Sequence, residues 1–245
     1  MRIDILTLFP KMFEGLLGES IIKRAQNKGK VGIKVHNLRD WSKDKHKKVD
    51  DKPFGGGPGM VIKPQPLFDA IDDLKSPSSR IILLTPQGKT LNQAIAGKLS
   101  KFKHLILVCG HYEGIDERFI KEAVTDEISL GDFILTGGEI PAIALIDCVV
   151  RLIPGVVGDK GSLEFESFMS GLLEYPQYTR PAVYRGLKVP EVLLSGDHNK
   201  IEQWRKMTAL KRTRRRRPDM FKNILRNNPA LSGEGKNSRA RKSGV

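Results

Sequence analysis

Apolar residues along the first 150 positions come in short blocks whose period alternates between strand-like and helix-like. Arg2 to Leu8 is short and mostly apolar, and Phe9-Pro10 ends it, which predicts a strand. Lys11 to Gln26 carries Met12, Phe13, Leu16, Leu17, Ile21, Ile22 and Ala25 at helical spacing, with Asn27-Lys28-Gly29 as the stop, so one helix is expected. Val31 to Asn37 alternates as a second strand, and Leu67 to Leu74 forms a short helix after Pro64 and Pro66. The order then repeats: strand Arg80–Leu84, helix Asn92–Ser100, strand His104–Cys109, helix Asp116–Ala123, strand Thr125–Ser129. A further apolar helix runs from Glu139 to Arg151, with Pro141 in its first turn, where a missing N–H is tolerated. This alternation predicts an α/β fold with a mostly parallel sheet covered on both faces. In such sheets ligands bind beyond the carboxyl ends of the strands.

Three of those ends are alike. Thr85-Pro86-Gln87-Gly88 follows Leu84, Gly110-His111-Tyr112-Glu113-Gly114 follows Cys109, and Leu130 to Pro141, LGDFILTGGEIP, follows Ser129. In the last, Gly131, Gly137 and Gly138 flank Phe133-Ile134-Leu135, and glycine lets backbone approach a ligand closely. Alone, that stretch reads more simply as a tight turn between a buried strand and a buried helix. Three such loops at successive strand ends point instead to one ligand pocket. The pocket is neither a dinucleotide-binding turn nor a phosphate-binding P-loop, because no G-x-G-x-x-G follows the first strand and no G-K-[ST] follows the glycines.

The long stretch Trp41 to Met60 lacks any period. Its basic half (Lys43, Lys45, His46, Lys47, Lys48) suits phosphates, Asp50 and Asp51 suit a base edge, and Gly55 to Gly59 suit a close approach. A solvated loop accounts for the same composition equally well. Beyond Arg151 the character changes. Ser162 to Phe168 reads as a linker, and Tyr175-Pro176 with Thr179-Arg180-Pro181 forms an irregular stretch rich in Pro and Tyr. His198 to Arg217 is a strongly basic helix ended by Pro218. Its run Lys211 to Arg217 holds no acid, and phosphate contact explains such a run better than a solvated helix end. The organisation expected is 1–160, a linker 161–172, a helical unit 173–230, and a basic, disordered tail 231–245.

Composition narrows the class. The 245 residues carry 42 Lys and Arg against 28 Asp and Glu, a net charge of +14, which favours a polyanionic partner, nucleic acid before membrane. No apolar run approaches the roughly 20 residues of a membrane helix, and the apolar part of the N-terminus is too short for a signal peptide. Cys109 and Cys148 sit among apolar neighbours and read as reduced core cysteines of a cytoplasmic protein.

Read block by block, the chain resembles the bacterial tRNA (guanine-N1)-methyltransferases of the SPOUT superfamily. The blocks are LFPKMF at Leu8–Phe13, DDKPFGGGPGM at Asp50–Met60, TPQG at Thr85–Gly88, CGHYEGIDER at Cys109–Arg118 and GDFILTGGE at Gly131–Glu139. RLIPGVVG at Arg151–Gly158, YPQYTRP at Tyr175–Pro181, SGDH at Ser195–His198 and QWR at Gln203–Arg205 complete the set. Members methylate the guanine at position 37, just 3′ of the anticodon, with S-adenosylmethionine. The resemblance therefore implies a deep trefoil knot around Gly110 to Pro141, a small helical C-terminal domain, and an antiparallel homodimer. Each active site of that dimer joins the knot of one subunit to the linker and C-terminal domain of the other. The donor-binding residues implied are Leu84, Thr85, Pro86, Gly110, Tyr112, Glu113, Leu130, Gly131, Asp132, Phe133, Ile134, Leu135, Gly137, Gly138 and Pro141. Those implied for tRNA are His46, Asp50, Pro58, Gly59, Ser162, Glu174 and Arg214.

Guanine N1 carries a proton at neutral pH, so a base must remove it as the methyl arrives, and a cation at O6 stabilises the charge that develops there. The family pattern S-x-x-x-D-S-F puts an aspartate in the first role. Here the segment is Ser162-Leu163-Glu164-Phe165-Glu166-Ser167-Phe168, so Glu166 takes that place with one methylene more. Arg151 matches the catalytic arginine, and Glu174 also replaces an aspartate. Glu113 reads either as a carboxylate for the sulfonium or a Mg²⁺ ion, or as an acid before a helix. Because Glu166 departs from the pattern, an RNA-binding protein that kept the fold without catalysis is the alternative at this stage.

Overall fold

A computed structural model describes residues 1–157 and 166–227. It divides into two compact units, Met1–Gly158 and Asp159–Val245. Ser162, most of the linker's first half and the tail lie outside the described residues.

In the first unit the strands are β1 (Arg2–Thr7), β2 (Gly32–Asn37), β3 (Asp50–Asp51), β4 (Val61–Ile62), β5 (Ser79–Thr90), β6 (His104–Cys109), β7 (Gly114–Ile115) and β8 (Asp126–Ser129). Five of them form a sheet in the order β2-β1-β6-β5-β8, every pair parallel. The helices are α1 (Glu14–Leu17), α2 (Ser20–Asn27), α3 (Pro64–Leu74), α4 (Gln93–Leu99), α5 (Glu117–Ala123) and α6 (Glu139–Val150). On one face of the sheet Ile3, Ile5, Leu105 and Leu107 pack against Ile22, Ala96, Leu145 and Val149 of α2, α4 and α6. On the other, Leu6, Ile106 and Val108 meet Leu67, Ile71 and Phe119 of α3 and α5. All six residues of β6 are buried, as a central parallel strand requires.

Three elements differ from the pattern. The helix expected over Lys11–Gln26 is a 3-10 turn (Pro10–Phe13), then α1, then α2. Gly18 ends α1, and Ser20, at φ 51°, redirects the chain; helical spacing is kept while the axis changes. The strand expected to end at Leu84 runs on to Thr90, with Thr85–Gly88 as an excursion: Leu84 and Lys89 both pair with Ile128. A Cβ on Gly88 would lie 2.3 Å from the Ile128 nitrogen, so only glycine lets the strand rejoin there. The Trp41–Met60 stretch also holds order: Asp50–Asp51 pairs antiparallel with β4, which pairs parallel with β7.

The second unit contains a hairpin, β9 (Val183–Tyr184) with β10 (Leu187–Lys188), a 3-10 turn (Glu191–Leu194), and helices α7 (His198–Arg216) and α8 (Pro218–Asn227). The Asp197 carboxylate accepts from the Lys200 N–H at 3.1 Å and caps α7. Pro218 ends α7 and also opens α8, which the sequence pattern had not suggested. Buried Thr213 accepts the Leu173 N–H at 2.9 Å and donates to the Ala209 carbonyl at 2.8 Å, tying the incoming chain to the helix.

Candidate active site

At the Thr85–Gly88 excursion of β5 and the carboxyl ends of β6 and β8 lies a cleft of about 510 Å³, within the usual range for small-molecule sites. The three glycine-bearing loops converge there. Leu84, Thr85, Pro86, Gly110, Tyr112, Glu113, Leu130, Phe133, Ile134, Leu135, Gly137, Gly138 and Pro141 line it, whereas Gly131 and Asp132 do not. Gly131 instead shapes the loop: a Cβ there would come within 2.8 Å of the Phe133 ring. Gln87, His111 and Thr136 also line the cleft and were not singled out from sequence, although each lies inside one of the three loops. Position inside a loop does not say which way a side chain points.

The floor depends on close backbone approach. Gly138 opens α6 against the end of β6, where a Cβ would lie 2.7 Å from the Cys109 Cα, and its N–H donates to the Gly110 carbonyl at 2.9 Å. A Cβ on Gly137 would meet Glu139 Oε2 at 2.4 Å and His111 Nδ1 at 2.9 Å. Beneath, Glu139 is buried and accepts a 2.7 Å hydrogen bond from the Thr7 hydroxyl. Burial, and then the Glu139 carboxylate, push the Cys109 thiol well above its ordinary pKa, so that cysteine is an inert core residue. His111 sits between Phe9 and Tyr112, with ring centroids 4.9 and 4.8 Å away. Its Nδ1 is the buried side-chain polar atom left without a partner among the described residues, and it belongs to the cleft wall. Tyr112 holds φ 60°, an uncommon conformation for a non-glycine residue that the surrounding loop must enforce. Apolar walls exposed to solvent (Phe133 54%, Ile134 80%), open main chain and an unpartnered buried nitrogen make a site suited to a small molecule with both apolar and polar parts.

The remaining expected residues fall in two places. β4–β7 pairing carries the glycine loop to the cleft rim, where a Cβ on Gly59 would strike the Glu113 carboxylate. Pro58 beside it is exposed, Asp50 is half-buried in β3, and His46 is exposed in a turn whose N–H donates to Asp44. Arg151 caps α6, half-buried, at the end opposite Gly138. In the second unit Glu166 is half-buried and its carbonyl accepts from the Met169 N–H at 3.2 Å. Glu174 accepts from the Gln177 amide, and its carbonyl accepts from Arg212 at 3.1 Å. Arg214 is exposed, its guanidinium 5.9 Å from the Phe221 ring.

A family model described as tRNA (Guanine-1)-methyltransferase TrmD matches residues 1–223. The chain belongs to this family. It is 58% identical over 221 residues to a tRNA (guanine-N(1)-)-methyltransferase of Dictyoglomus turgidum, covering 90% of each chain. It is 58% identical over 225 residues to the Bacillus subtilis protein of the same name, covering 91% of this chain and 93% of that one. The Ruminiclostridium cellulolyticum protein of that name is 58% identical over 231 residues, 93% of this chain and 99% of the relative. Within the TrmD family the motif blocks named above take on their spatial sense: those from the first unit between Thr85 and Glu139 gather at the cleft, YPQYTRP and QWR meet at one depression of the second unit, and SGDH opens the helix that carries QWR.

Proposed function

We propose that this protein transfers a methyl group from S-adenosylmethionine to N1 of the guanine at position 37 of tRNA. The observation that carries the reading is the three-loop cleft, found in a chain of this family. Main chain at Gly110 and Leu130 to Gly138 would hold the polar parts of the donor, and Leu84, Pro86, Ile134 and Leu135 would cover its apolar parts. The donor supplies, when bound, a methyl group on a positively charged sulfur. Glu166 is the carboxylate that takes the N1 proton, and Arg151 is the cation that stabilises charge pushed onto O6. Glu174, Ser162, Arg214 and the Asp50–Gly59 loop position the RNA.

The fold we infer for the first unit is the deep trefoil knot of its superfamily, with the start of α6 lodged against the Cys109–Gly110 backbone. The working form is a homodimer in the cytoplasm whose active sites are shared between subunits. An apolar surface supports it: Phe9, Met12, Leu16 and Ile140 are 38 to 56% exposed, on the N-terminal turns and the adjoining α6. No helix among the described residues is long and apolar enough to cross a membrane. Glu113 lines the cleft and is the carboxylate we would assign to a Mg²⁺ ion. No group of three or more His, Cys, Asp or Glu among the described residues is placed to hold a metal, so no step is assigned to one.

The test is nucleoside analysis of a tRNA transcript bearing guanine at position 37 after incubation with labelled donor. We expect 1-methylguanosine, and for Glu166→Gln a rate lower by about 100-fold with donor affinity unchanged in calorimetry. Full activity of Glu166→Gln would remove its role. Tight tRNA binding by the native protein without product would favour the non-catalytic reading.

A further inference from the structure

The second unit holds a depression of its own, of about 280 Å³. Its walls are Tyr175, Tyr178, Arg180, Trp204 and Arg205 above a floor of Leu193 and Ile201. The residues come from the Tyr- and Pro-rich stretch and from the first turns of α7, two blocks that the proposed chemistry leaves without a task. Tyr178 and Trp204 stand 6.4 Å apart at 55°, wider than the closed edge-to-face pair of Phe68 and Phe119 at 5.3 Å and 74°. They form a tilted pair at the wide end of the ordinary aromatic range, and Tyr178 is 49% exposed. The Arg205 guanidinium lies 5.0 Å over the Tyr175 ring, which leaves its outer face to solvent, and Arg180 is exposed at the rim. Of the acids near this face, Asp197 pairs with Lys200 at 3.0 Å and Glu202 with Lys206 at 2.6 Å, while Glu191 is exposed at the start of the 3-10 turn. Among the residues that line the depression, the charged ones are Arg180 and Arg205.

We propose that this depression is a second RNA subsite, which takes one unstacked base of the tRNA against Trp204 and Tyr178 while Arg180 and Arg205 meet its flanking phosphates. The inference rests on the tRNA reading above and adds a site that the methyl transfer does not require. Flat π faces accept any base, and guanidinium groups add stacking and charge together, which is how single-stranded segments are held without sequence readout. A half-exposed tyrosine lining a depression of this size is poorly explained as core packing, because packed interiors leave few voids. The apolar floor and cationic rim match the two sides of a nucleotide.

Trp204 is one of two tryptophans, the other being Trp41 in the first unit, whose indole N–H donates to Asp73. Trp41→Phe thus leaves Trp204 as the sole reporter in the full-length protein. Adding a tRNA transcript should quench its emission, saturating at the concentration at which filter binding saturates. Tyr178→Ala in the otherwise native chain should weaken tRNA binding by roughly 5- to 150-fold, the range for one lost stacked base. The salt slope should stay unchanged, because no phosphate contact is removed, and Tyr178→Phe should restore affinity. Unchanged Trp204 emission under saturating tRNA would overturn the subsite, and it needs no altered pocket to read. An emission change that follows protein concentration without RNA would instead seat a second copy of the chain there, and would overturn it too. If the native protein fails to bind tRNA at all, the functional reading itself fails; if it binds and Tyr178→Ala binds equally, only this subsite does.

Discussion

Single residues set the chemistry of the buried sheet as much as that of the cleft. Asp4, fully buried in β1, accepts from His36 Nε2 at 2.7 Å and His104 Nε2 at 2.7 Å, with Arg2 at 2.6 Å, so three neighbours converge on one carboxylate. His104 continues the chain to the Ser79 hydroxyl at 2.6 Å. Burial acts to raise the Asp4 pKa, but hydrogen bonds from His36, Arg2 and His104 outweigh it and lower the carboxyl from 3.8 to about 2. A depressed pKa contributes stability above the ordinary value, and that stability is lost as pH falls from near 3.8 through about 2. The displacement corresponds to about 2 kcal/mol. Asp4→Asn should therefore unfold at lower urea at pH 7, and its stability should change less than the parent's between pH 4 and 2. Parallel pH dependences of the two proteins would show that Asp4 contributes no such term. Gly137 and Gly138 act at the same scale: neighbours stand where their side chains would begin, so the loop has its shape because nothing is attached there.

At the scale of elements, α7 combines support with binding. Arg212 donates to the Glu174 carbonyl, and Arg217 makes a two-pronged pair with Asp219 at 2.9 and 2.6 Å across the α7–α8 joint. The basic run is thus not uniformly available to RNA: half-buried Arg212 ties the incoming chain to α7 and Arg217 is engaged by Asp219, while Lys211, Arg214, Arg215 and Arg216 are exposed. Arg215→Gln with Arg216→Gln should weaken tRNA binding and flatten its salt dependence by about one unit of slope per lost phosphate contact. An unchanged slope would make this stretch a solvated helix end. β5 shows the complementary case. Its excursion at Thr85–Gly88 bulges into the cleft because the strand leaves its partner at Leu84 and returns to the same Ile128.

At the scale of the whole molecule, the exposed apolar face of Phe9, Met12, Leu16 and Ile140 needs a cover, and a second copy is the one proposed. Leu16, 56% exposed, contributes little to the monomer core, so Leu16→Glu should leave the fold intact in circular dichroism. It should yield monomers by sedimentation and, if active sites are shared between subunits, little methyl transfer. A variant that stays dimeric would place the interface elsewhere.

Much of this was legible in residue order. Period-2 and period-3.6 blocks declare strands and helices because each must turn one side to a core, and their alternation forces parallel pairing with ligands at the carboxyl ends. The glycines of the three loops likewise marked close approach, since few other constraints keep a residue without a side chain. Spacing is silent wherever partners are distant in the chain. The Thr7–Glu139 bond spans 132 positions and the Asp4–His104 bond 100, and no local pattern encodes either. The break at Gly18–Ser20 preserved helical spacing, so the sequence read as one helix where the chain changes direction between α1 and α2. The same holds for Tyr178 and Trp204, whose pairing depends on how the chain before α7 folds back on it. Local chemistry determined the elements and the candidate loops; tertiary contact alone decided which side chains face each other, because that depends on distances that one-dimensional order does not contain.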